Sequence, residues 1–268
     1  MARLPRLALA GHTHLVLQRA HGSVGSAGSA GSGPAPALAG ARALFADDID
    51  RRAYRTALFE AARAEGVAVH AWALCDTEVL LLLTPGTATG LSRLMQALGR
   101  RYVSAHHRRH GGSGTLWDGR FRAAVVQPGP PRLAALCWVD DAGGAGSGAS
   151  TDSGTASPDS GGRHSNVIPP RTSAPQRLGA PREAGLQDPP ELWPLGNTPF
   201  EREAAYRALL AQGLPAAQAA ALRSAALGGW ALGSAEFIAQ VADALARPAG
   251  PRPRGRPRGT GAAARQSR

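Results

Sequence analysis

The stretch Glu-Val-Leu-Leu-Leu-Leu at residues 78–83 limits the possible folds more than any other. In a strand, Glu78, Leu80 and Leu82 point one way and Val79, Leu81 and Leu83 the other. A strand apolar on both faces must be covered on both sides. The chain therefore needs a sheet with layers above and below it. Glu78 stands at the head of this run, and a carboxylate there needs an exposed strand end or a partner.

The neighbouring segments supply such layers. HTHLVLQR (12–19) alternates and is β-rich, and VAVHAWAL (67–74) reads as a strand leading into 78–83. DDIDRRAYRTALFEAARAEG (47–66) reads as a helix, acidic at its start, with Gly66 placed to end it. Within 89–112, Leu91, Leu94, Met95, Leu98 and Tyr102 recur at helical spacing. GRFRAAVV (119–126) is a further strand candidate, and PPRLAALCWVDD (130–141) a short helix after it. The order β-α-β-β-α-β predicts an α+β, ferredoxin-like (split βαβ) layout over residues 1–139.

Two low-complexity stretches interrupt this pattern. Residues 22–40 are a Gly/Ser/Ala insertion expected to be flexible, and 140–190 read as a disordered Gly/Ser/Pro linker. A small all-helical domain is expected at 191–246. Thr198-Pro199-Phe200-Glu201 there is a capping box, and Ser234 opens a later helix. Residues 247–268 form a basic Arg/Pro tail.

The chain carries 30 basic residues, all arginine, against 19 acidic ones, a formal charge of +11. Arginine suits phosphate through its planar fork of donors, but only the placement of these arginines argues for nucleic acid. Arg100, Arg101, Arg108 and Arg109 follow one helix. Trp117, Arg120, Phe121 and Arg122 mix aromatic and cationic groups in a way that suits a splayed DNA strand. The tail holds Arg254-Gly255-Arg256-Pro257-Arg258, an AT-hook-like core that also fits a non-specific basic tail. Cys75 and Cys137 form no disulfide framework and no metal-ligand spacing. No run approaches the roughly 18 apolar residues of a membrane span, and the expected location is the cytoplasm.

Several blocks, in order, resemble the REP-associated tyrosine transposases, a branch of the HUH single-strand endonucleases. GHTHLVLQR, YRTALFEAARAEGVAVHAWAL, LLLLTPGTATGLSRLMQALGRRYVSAHHRRHGGSGTLWDGRFRAAVV and GGWALGSAEF carry the resemblance. It implies a DNA partner, single-stranded or a hairpin from palindromic repeats, with Arg19 added to the DNA-facing residues. It also implies a divalent metal such as Mg²⁺ or Mn²⁺, held by a His–hydrophobe–His pair on a strand, and a tyrosine nucleophile on a following helix.

This sequence departs from the family at each of those positions. Glu78 and Leu80 stand where the two histidines would be, and Trp138 stands at the tyrosine position. The helix at 130–141 runs on into glycine-rich sequence in place of the family's Asn-Pro-Val-Arg-Ala-type continuation. The expected catalytic and metal residues are therefore none, and the expected protein is a transposase-like DNA binder impaired in cutting. Tyr54, Tyr102 and Tyr206 are the remaining tyrosines, the first two on apolar helical stripes. His70 reads as a satisfied structural histidine, with a weak metal site beside Glu78 as the alternative. Two other readings stay open: an active nuclease using unaligned residues, and a decayed product or non-DNA scaffold.

Overall fold

A computed structural model describes residues 6–22, 43–142 and 171–251. Its sheet is built from β1 (Thr13–Arg19), β2 (Val67–Leu74), β3 (Glu78–Pro85), β4 (Arg122–Val126) and β5 (Ala231–Leu232), in the order β2-β3-β1-β4-β5. The first four strands pair antiparallel, and β5 joins β4 in parallel. β3 therefore lies inside the sheet, as its two apolar faces demand.

Helices α1 (Asp48–Ala64) and α2 (Gly90–His110) cover one face. Their Tyr54, Leu58, Leu94 and Leu98 pack with Val16, Leu81 and Leu83 in one core. Helices α3 (Pro130–Asp141), α4 (Pro199–Gln212) and α5 (Ala216–Gly228) serve the other face. There Leu136, Tyr206 and Leu222 meet Leu15, Leu17, Leu80 and Leu82. Helix α6 (Ala235–Ala244) closes the β4–β5 end, with Phe237 and Val241 against Leu7 and Val125.

Local chemistry sets the element ends. Asp47 caps α1 by accepting from the Ile49 and Asp50 amides. Gly66, at φ +61°, makes the left-handed turn that lets β2 follow α1 directly. Thr198 and Glu201 close a reciprocal capping box on α4 behind Pro199, and Ser234 caps α6 through the Phe237 amide.

Two expectations are corrected. Part of the stretch read as linker is ordered: residues 171–190 lie along the β2 edge. The Leu74 amide donates to Arg171 O, the Ser173 amide to Trp72 O and the Gln187 amide to Val69 O. Arg177 fixes the segment from inside, donating to Asp140 Oδ2 at 2.8 Å and to the His70 carbonyl. Hydrogen bonds and several ion pairs hold the segment, with Leu186 and Leu178 packed into the two cores at no regular period, so hydrophobic patterning does not reveal it. The helical block at 191–246, expected as a separate small domain, shares its core with the sheet, and its residues 231–232 form β5. Its apolar residues find their cover on β1 and β4. Most of the stretch 22–40 and all of 143–170 lie outside the described residues.

Candidate nucleic-acid interface

β1, β3 and β4 place a charged group at one end of the α5-covered face. Arg19 pairs in register with Glu78, and Arg122 with Leu17. Paired residues in an antiparallel ladder share a face, so Glu78, Arg19 and Arg122 project on the side of Leu17 and Leu80. Arg223 of α5 completes the group, its two terminal nitrogens donating to the two Glu78 oxygens at 3.0 and 2.9 Å. This fork-to-fork geometry is the strong form of an ion pair. The bond to Glu78 raises the Arg223 pKa above its ordinary value.

Around this pair the charge is unbalanced. The Arg6 guanidinium lies over the Phe121 ring at 3.9 Å. Its pKa is lowered by burial and then by the charges of Arg120 and Arg122. That of Arg19 is lowered by burial and then by Arg223, with Glu78 and Asp118 opposing. Arg120 and Arg122 are exposed and make no ion pair among the described residues. Among the described residues, Arg19, Arg122 and Arg223 thus gather near Glu78, with Arg6 and Arg120 close to Arg122.

The divalent metal that the sequence resemblance implies does not fit the residues at 78 and 80. Leu80 is 1% exposed in an apolar core and carries no lone pair. The Glu78 oxygens are both taken by Arg223. His70, at the other end of the β2–β3 pair, cannot help: its Nδ1 meets Gln187 O at 2.9 Å and its Nε2 meets Thr84 Oγ1 at 2.8 Å. It is a satisfied structural histidine beside a bulge in β2.

The tyrosines, the cysteines and Trp138 are all wholly or partly buried. Trp138 packs half-buried against the α3-side core. Tyr54, Tyr102 and Tyr206 are all buried. Burial pushes each phenol above its ordinary pKa, so the phenolate is out of reach. Tyr206 in addition donates to Asp140 Oδ2 at 2.6 Å. Burial pushes the Cys75 and Cys137 thiols up to about 11, so neither presents a thiolate at neutral pH.

The remaining DNA-facing candidates divide. Arg100 and Arg108 are exposed, and Arg108 donates to the Ser104 hydroxyl at 3.0 Å. Arg101 is paired with Glu60 at 3.2 Å, and Arg109 with Asp47 and Asp50, so part of the helical stripe is already neutralised. Trp117 and Phe121 do not serve as stacking platforms. They are 6% and 8% exposed in the α1–α2 core, and Arg6 caps the Phe121 ring. The apolar sides of these rings are worth more in the core than in water. Arg254, Arg256 and Arg258 lie outside the described residues. Sequence reasoning missed Arg6 and Arg223. Arg223 lies 145 residues from Glu78, and no local pattern links them.

No family model matches the sequence, and no curated protein matches it. Among solved structures the chain is similar to a REP-associated tyrosine transposase bound to a REP hairpin. The identity is 13%, the TM-score 0.39, and the match covers 52% of this chain and 70% of that one.

Proposed function

We propose that this protein binds DNA through the arginine group at the Glu78 end of the sheet, as a transposase-like protein of the REP-associated type that does not cut its DNA. The observation that carries the reading is geometric: Arg19, Arg122 and Arg223 gather beside Glu78 on one face of the sheet, and the exposed Arg120 and Arg122 make no ion pair among the described residues. Such a surface gains from a polyanion, because each phosphate contact relieves like-charge repulsion and releases a counterion. The order of the first four strands supports a ferredoxin-like core. β3 is inserted between β1 and β2, and β1 between β3 and β4, with α1 and α2 as the crossovers. The absence of cutting is supported by the plugged Glu78–Leu80 position and by the buried tyrosines. The sequence resemblance suggests hairpin DNA as the first probe, and the arginines of the tail would add salt-sensitive affinity.

The test is binding of a labelled DNA hairpin, and of a single strand of equal length, over a salt series with Mg²⁺ or Mn²⁺ present. Affinity should fall steeply with salt. Arg120→Ala and Arg122→Ala should each flatten the log–log slope by about 1, while Arg101→Ala should leave it unchanged. Salt-independent or absent binding would overturn the DNA reading. A covalent protein–DNA adduct would overturn the claim that the chain does not cut.

A further inference from the structure

The structure assigns a transition-metal site to Asp50, His106 and His110, on the face opposite the arginine group. Asp50 sits in the first turn of α1, and the two histidines are four residues apart near the end of α2. One donor atom from each lies within 4.8 Å of the other two. The His110 Nε2 is 2.9 Å from both Asp50 oxygens, and the His106 and His110 ring centroids are 4.6 Å apart. Donors bound to a tetrahedral zinc sit about 3.4 Å from one another, so modest side-chain adjustments close this set onto an ion. Residues i and i+4 share a helix face, the spacing by which paired histidines on one helix hold zinc.

The surroundings resemble those of a built ligand set. The Asp50 side chain is 3% exposed. The Ala46 amide donates to its Oδ2 at 2.8 Å, and Arg109 donates to its Oδ1 at 2.6 Å. Outer hydrogen bonds of this kind orient a ligating carboxylate. The side chain of His110 is 25% exposed, which leaves the ion a route in and room for water as a fourth ligand. Two imidazoles and one carboxylate favour zinc-type divalent ions over Mg²⁺ or Ca²⁺. The ion would clasp the start of α1 to the end of α2 and stabilise the folded state by binding it alone. This assignment is independent of the DNA reading.

The experiment uses the full chain, untagged and freed of metal by a chelator. Zn²⁺ is titrated calorimetrically at neutral pH, and Co²⁺ is followed by its visible absorption. One equivalent should bind, with a visible Co²⁺ band and a rise in Tm on adding Zn²⁺. His110→Gln, at a partly exposed position, should keep the fold by circular dichroism. It should weaken binding at least about tenfold and abolish the Tm rise. His106→Gln should weaken binding likewise, and His107→Gln should leave it intact. No saturable binding at micromolar Zn²⁺ would overturn the site. So would binding unaltered in His110→Gln, or weakened equally in His107→Gln.

Discussion

At the residue scale, Glu78 is explained by one contact. Its carboxylate heads an apolar strand because Arg223 reaches over from α5 and meets both oxygens. The Glu78 side chain is 19% exposed and that of Arg223 42% exposed, so water screens the pair and its worth is modest. Arg223→Ala should cost about 1 kcal/mol, mostly by leaving Glu78 half-buried without a partner. Replacing both by leucine should recover that loss, since apolar packing often equals a buried ion pair. Urea unfolding midpoints of the single and double variants check this. A double variant weaker than Arg223→Ala would mean the pair contributes more than its neutralisation. That Glu78, Leu80 and Trp138 stand where the resemblance would place two histidines and a tyrosine was an expectation drawn from the sequence. That Arg223 of α5 takes up the Glu78 carboxylate was not.

At the scale of elements, regular periods translate directly and irregular segments do not. VAVHAWAL was read as a strand over 67–74, and β2 spans Val67–Leu74. Its alternation is strong, and a tight left-handed Gly66 turn precedes it. The segment 171–190 has no period, since it is held to the β2 edge by polar groups. Asp140 shows how much depends on them. Its side chain, 0% exposed, accepts from Ser173, Tyr206 and Arg177. Burial raises its pKa, with the Arg177 charge opposing. Arg177→Ala should cost about 3–5 kcal/mol by stranding a buried carboxylate, whereas Ser173→Ala should cost only about 1 kcal/mol. Thermal unfolding of the two variants measures the contrast. Equal costs would show that the segment is held by its backbone bonds alone.

For the whole molecule, covering both faces of the sheet buries titratable groups that then report on folding. Burial lowers the His14 pKa from 6.5 to about 4, and it lowers that of His70 as well. Between those values the unfolded chain takes up a proton that the native protein refuses. The stability these histidines retain above about pH 6.5 is therefore lost as pH falls. The expected loss from His14 is about 1.4 kcal/mol per pH unit within the window, and His70 adds to it with the same sign. Urea unfolding at several pH values should show this slope, and His14→Gln should reduce it; a flat profile would contradict the burial of both rings. The sequence by itself determined the first four strands, the main helices, the double cover over β3 and the excess of arginine. Those properties follow from residue chemistry and from periods of two and of about 3.6, which are local. Only the tertiary structure decided which arginines are spent on internal carboxylates, which aromatic rings are buried, and that Glu78 is answered from α5. Such pairings depend on how distant segments pack, and spacing along the chain carries no record of them.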